Sequence, residues 1–79
     1  MNRKKDNELK IAFGEQVKRL RLAQDKSMRG FAGDADIEYS QIARIESGEI
    51  SPTITTASKI AEALGITLKE LFDFKIPRK

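Results

Sequence analysis

Cysteine and histidine are both absent from this 79-residue chain. Without cysteine, neither a disulfide nor a thiolate metal site can hold the fold. Without histidine, the chain lacks the commonest general base and the commonest metal ligand. No apolar run approaches the roughly 20 residues of a membrane span. The opening MNRKKDNELK has no apolar segment of the kind a signal peptide needs. A cytoplasmic location without membrane contact is the expectation. No Gly-rich phosphate loop occurs, and no paired carboxylates fall in an evident pocket. Repeats and low-complexity segments are missing too. These absences argue against an enzyme and against a bound metal or cofactor.

What remains suits one small domain, and an apolar content of 39% fits a compact helical bundle. The net charge of +3 is unevenly spread. Residues 1–26 hold eight basic and four acidic side chains, and residues 53–79 hold five and three. Residues 27–52 hold two basic and five acidic ones: Asp34, Asp36, Glu38, Glu46 and Glu49. A nucleic-acid binder usually gathers positive charge at its contact surface, so this acidic centre counts against simple DNA binding.

That same stretch, SMRGFAGDADIEYSQIARIESGEISP, organises the chain. Ser27 can cap a helix over about 27–34 that carries Phe31, Ala32 and Ala35 at helical spacing. Asp36 tolerates the left-handed backbone a short turn needs. A second helix over about 38–47 buries Ile42 and Ile45, and Gly48 ends it. Two short helices joined by so tight a turn form a helix-turn-helix. With the isoleucines inward, Tyr39, Ser40, Ala43 and Arg44 face outward or along the edge. Arg can donate two bonds to guanine, Ser and Tyr can reach base edges or phosphates, and Ala can meet a thymine methyl. The same face would equally serve as the solvated side of an ordinary bundle.

Along the chain, residues 1–7 read as a polar tail with a basic cluster, Arg3-Lys4-Lys5. It is either inert or an arm that adds phosphate contacts. A first helix from about residue 6 or 7 to 24 carries the stripe Leu9, Phe13, Val17 and Leu20. Gly14 weakens that helix by roughly 1 kcal/mol, as Gly30 and Gly33 each weaken the second. The missing side chains at Gly30 and Gly33 either let another backbone approach or leave a marginal helix held by packing. Thr53 starts a fourth helix with Ile54, Ala57, Ile60, Ala61 and Leu64 inward, closed by Gly65. Thr67 and Glu70 form a capping box for a fifth, whose apolar face is Leu68, Leu71 and Phe72. The expected layout is a tail over 1–7, a helix-turn-helix domain over 8–73, and a tail over 74–79.

Residues 17–72, with RIESGEISPTI (44–54) and KIAEALGITLKELF (59–72) as their most specific parts, resemble the lambda-repressor-like helix-turn-helix family, also called the Cro/cI or XRE type. The resemblance implies an all-α fold of five helices, the second and third forming the DNA-binding pair. It implies base reading by Tyr39, Ser40 and Arg44, with Gln41 and Ala43 secondary. It implies phosphate contacts from Ser27, Met28 and Arg29 and from Ser47, Gly48, Ile50 and Ser51. It also implies a structural ion pair between Arg21 and Glu46, which would remove one acid from the DNA face. The chain departs from the family pattern at three places. Met28 replaces a Gln that contacts phosphate and orients a base reader. Glu38 replaces Ser or Thr and repels phosphate. Asp25-Lys26 replace Gly-Leu.

The reading that follows is a sequence-specific transcriptional regulator, repressor or activator, whose partner is double-stranded DNA. It would act as a homodimer on a two-fold related operator, because one small module reads too few bases. The dimer surface is expected at Leu68, Phe72, Phe74 and Ile76. The alternative is a protein-interaction module, such as an antitoxin that neutralises a partner protein.

Overall fold

A computed structural model describes residues 3–75. Among them are five helices and no strand: α1 (Arg3–Ala23), α2 (Met28–Ala35), α3 (Tyr39–Glu46), α4 (Ile54–Leu64) and α5 (Leu68–Leu71). The punctuation between them is local chemistry. Ser27 Oγ accepts the Gly30 N–H at 2.9 Å, and Thr53 Oγ1 accepts the Thr56 N–H at 3.1 Å. Thr67 and Glu70 bond each other's backbone N–H, which completes the capping box. Asp36 closes α2 at φ 57, and Gly65 closes α4 at φ 71. Asp25 also lies in the left-handed region, at φ 56. The family pattern places Gly there, and Asp is among the few other residues that tolerate it.

Phe31, Ile42, Ile45, Ile60, Leu71 and Val17 are fully buried and draw all five helices onto one core. Each such side chain contributes roughly 1.5–3 kcal/mol relative to exposure. The partners of α3 decide its placement. It packs chiefly on α1 and α2. On the α1 side the two backbones nearly touch: a Cβ at Gly14 would collide with the Ile45 carbonyl oxygen and lie 2.7 Å from that of Glu46. Just beyond α3, Gly48 at φ 83 sits so close to α1 that its Cβ would lie 2.7 Å from Ile11 Cγ1. The two glycines therefore let α3 and its exit turn lie flat against α1. Gly30 and Gly33 play no such part. A Cβ at Gly30 would meet only Ser27 Oγ within 4 Å, and one at Gly33 would meet nothing.

Two glutamine side chains, Gln16 buried and Gln24 exposed, tie distant parts of the chain together. Gln16 Nε2 donates to the carbonyls of Leu71 and Asp73, each at 3.3 Å, and so fastens α5 and its exit to α1. Gln24 Nε2 donates to the Leu64 carbonyl at 2.8 Å at the end of α4.

The structure corrects several expectations. Residues 3–7 continue α1 rather than forming a tail. They are helix-compatible residues without Gly or Pro, and Asp6 stands four before Lys10, the favourable order for a helical ion pair. Phe74, expected in the C-terminal tail, is half-buried against the core, its ring 6.3 Å from Phe13 and 6.4 Å from Phe72. Ile54 is not inward but 83% exposed. As the first residue of α4 its side chain points N-terminally, past the end of the core. Leu9, expected on the inward stripe of α1, is 43% exposed. On α5 only Leu71 is buried, leaving Leu68 and Phe72 40% and 47% exposed. Ile76 lies outside the described residues.

Candidate nucleic-acid interface

The third helix, α3, is amphipathic over two turns. Ile42, Ile45 and Glu46 are buried, while Tyr39, Ser40 and Arg44 are exposed and Gln41 and Ala43 sit half-buried at the edges. The inward residues fix the roll of the helix, and the roll fixes what it offers outward. Tyr39 opens the helix, and the Arg29 guanidinium lies over its ring, 4.8 Å from the centroid. That cation–π contact sets the ring in place and leaves the hydroxyl without a hydrogen bond among the described residues. Met28, one residue earlier, turns inward and packs on the core. Met28 and Arg29 nonetheless keep their backbone N–H groups at the open N-terminus of α2, where Gly30 and Phe31 are already bonded to Ser27. Free N–H groups at a helix start suit an anion.

The turn after α3 divides differently. Ser47, Gly48 and Glu49 donate their N–H groups to the carbonyls of Ala43, Ile45 and Arg44. Ile50 and Ser51 make no backbone N–H bond among the described residues, so they are the donors this turn leaves open. Ser47 keeps its hydroxyl at the surface, within reach of the Arg44 carbonyl and of Glu49.

Charges in the acidic centre are mostly matched. Arg21 Nε and Nη2 meet Glu46 Oε2 and Oε1 at 2.8 and 3.0 Å in a buried fork-to-fork pair, and Arg21 Nη1 donates to the Lys26 carbonyl at 2.9 Å. The Glu46 hydrogen bond holds the Arg21 guanidinium above its ordinary pKa, against the opposing effect of burial. Lys26 Nζ pairs with Asp34 at 3.0 Å, and Arg44 Nε lies 3.5 Å from Glu49. Only Asp36 and Glu38 have no ion-pair partner among the described residues. Glu38 is the N-cap of α3 but makes no side-chain capping bond.

Sequence reasoning singled out Arg21, Glu46 and the outward face of α3; the structure pairs Arg21 with Glu46 in the buried contact between α1 and α3 and leaves Tyr39, Ser40 and Arg44 exposed on α3. Sequence reasoning did not single out the Arg29–Tyr39 stack or the Glu49–Arg44 pair. Both depend on side-chain directions across a turn, which spacing alone does not give. Gln16 carried a usable signal: a polar residue between Phe13 and Val17 on an apolar stripe must find buried partners.

Next to the turn after α3, at Ser51 and Pro52, an apolar groove is lined by Leu9, Phe13, Phe72 and Phe74 together with Asp6 and Lys10. The Phe13 and Phe72 rings stack there at 5.1 Å. Among the described residues, no cluster of acidic side chains could hold a metal ion, and no helix is long and apolar enough to cross a membrane.

Comparison with known proteins agrees with this geometry. A helix-turn-helix family model matches residues 17–71. The control protein C.MunI of a Mycoplasma species is 39% identical over 67 residues, covering 84% of this chain and 90% of the relative. The control protein C.BamHI of Bacillus amyloliquefaciens is 32% identical over 69 residues, covering 86% and 85%. Among solved structures, the restriction-modification controller protein C.AhdI of Aeromonas hydrophila superposes with a TM-score of 0.78 at 28% identity, covering 80% of this chain and 96% of that one. With the family pattern running from the middle of α1 to the end of α5, this chain belongs to the helix-turn-helix family of DNA-binding transcriptional regulators.

Proposed function

We propose that the protein is a sequence-specific controller that binds a two-fold related operator as a homodimer. Each copy would lay α3 in the major groove of one half-site, with half-site centres about one turn, roughly 34 Å, apart. The observation that carries the reading is the exposed face of α3, where Tyr39, Ser40 and Arg44 project together from a helix whose roll is fixed by buried Ile42 and Ile45. The open N–H groups at the start of α2 and at Ile50 and Ser51 flank that face and suit phosphates. The similarity to two control proteins and to a restriction-modification controller protein supports a controlling task here, the regulation of transcription.

Arg44 is the principal base reader in this account. Arg44→Ala costs about 1–3 kcal/mol at one base-pair position and relaxes preference there. Mobility shift on the preferred site and on single-base variants measures it. Unchanged affinity and preference on every site would remove Arg44 from the interface.

The apolar groove supplies the dimer surface. Leu9 and Phe72 in the groove, and Leu68 at the start of α5, leave a sizeable part of their surface exposed, and Phe74 in the groove is half-buried; exposed apolar patches mark interaction surfaces. Asp6 and Lys10 on its rim carry opposite charges, so two copies facing across a two-fold axis can exchange ion pairs. Leu68→Ser with Phe72→Ser shifts the protein toward monomer, keeps it helical, and weakens operator binding by removing the linked second contact. Sedimentation at several concentrations, beside circular dichroism, reads this. A parent protein monomeric throughout would leave the groove to a partner protein, the antitoxin-like alternative.

A further inference from the structure

Glu49 is the one acid at the mouth of the reading face that touches a proposed base reader. One backbone and one side-chain hydrogen bond bear on its position. Its backbone N–H donates to the Arg44 carbonyl at 2.9 Å, and its Oε2 accepts from the Ser47 hydroxyl at 3.3 Å. Its other carboxylate oxygen, Oε1, lies 3.5 Å from Arg44 Nε. The side of the guanidinium that Glu49 approaches is therefore the Nε edge. The Arg44 guanidinium makes no hydrogen bond among the described residues, and its approach to Glu49 is an ion contact between two side chains that are each more than half exposed. An arginine has five N–H donors in a rigid fork, and guanine needs only two of them, at O6 and N7.

We propose that Glu49 is a specificity-determining positioning residue, which holds Arg44 by its Nε edge so that the Nη edge faces guanine. The inference rests on the reading of Arg44 as a base reader. A long exposed side chain otherwise samples many rotamers, most of them directed at phosphates, where Arg binds without regard to sequence. Glu49 removes many of these. It also adds a negative charge near the DNA backbone, which weakens binding to every sequence. The two effects have opposite consequences for discrimination, and this makes the role testable.

The probes are the site recovered from a random pool and the same site with the Arg44-contacted guanine replaced. Glu49→Gln and Glu49→Ala both remove one charge, but Gln keeps a neutral acceptor for Nε. Both variants tighten binding to the replaced site. Glu49→Ala lowers the ratio of the two affinities by about three- to tenfold, part of what a guanine-reading Arg supplies, and Glu49→Gln lowers it less. In an Arg44→Ala background, changing Glu49 leaves the ratio where Arg44→Ala alone sets it. Both residues are exposed, and circular dichroism checks that each variant is folded. If both variants tighten binding to the two sites by one common factor, Glu49 is only a repulsive charge and the positioning role is overturned. If Arg44→Ala itself leaves the ratio unchanged, the assignment of Arg44 falls, and the role of Glu49 falls with it.

Discussion

Arg21→Ala and Glu46→Ala are each expected to destabilise the protein by about 3–5 kcal/mol, because each strands a buried charge. The pair is bidentate, at 2.8 and 3.0 Å, and both side chains are almost fully buried. A third arginine bond, to the Lys26 carbonyl, closes the connection between α1 and α2. A small domain has roughly 5–15 kcal/mol in total, so either variant lies near the edge of folding at 37 °C. The double variant costs less than the sum of the singles, since neither charge is then left alone. Denaturant unfolding of all four proteins gives the coupling, and additive losses would show that the two groups do not depend on each other. The loss is insensitive to pH across the neutral range. Arg21 has its folded-state pKa raised, so its contribution is complete below the ordinary Arg value. It is lost only as pH rises through the higher folded value, at strongly alkaline pH.

Gly14→Ala is the second large effect, and two principles disagree on its sign. Helix propensity alone favours Ala by about 1 kcal/mol. Packing opposes it, since the new Cβ would collide with the Ile45 carbonyl and crowd Glu46 O and C at 2.7 and 3.0 Å. Those neighbours are backbone atoms held in α3 and cannot swing aside as a side-chain tip does. Overpacking of a core typically costs about 1–3 kcal/mol and occasionally more, and a backbone-to-backbone contact belongs at the upper end. The net expectation is a loss on the order of 2 kcal/mol, which lowers the thermal midpoint by roughly 10 °C in a domain this small. DNA affinity falls as well, because α1 and α3 can separate only by tilting the recognition helix. A midpoint equal to or above the parent's would mean that propensity wins and that α1 and α3 have room between them.

These two cases show where the sequence is informative. Ser27, Thr53, Asp36, Gly65 and the Thr67–Glu70 box act within a few residues, so their roles are written in local spacing, and the structure places each at its cap. The inward face of α3 follows from Ile42 and Ile45 in the same way. Arg21 and Glu46 lie 25 residues apart, beyond any local pattern, and only the family resemblance linked them. Gly14 read as a defect of 1 kcal/mol order in one helix, whereas its role lies in the other helix it lets approach. Ile54 misled because helical spacing gives a face but not where the core ends. The Arg29–Tyr39 and Glu49–Arg44 contacts depend on rotamers across a turn, and nothing in the order of residues specifies those.

The central claim is that the outward face of α3 reads DNA sequence in two copies. Selection of bound duplexes from a random pool by the purified protein, repeated with Arg44→Ala, tests it most directly. The account predicts one enriched site with two-fold related halves whose centres lie about one helical turn apart. A guanine should recur in each half, and the Arg44→Ala selection should lose preference at that position alone. A pool that stays random after repeated rounds, or a site recovered unchanged by Arg44→Ala, would contradict it.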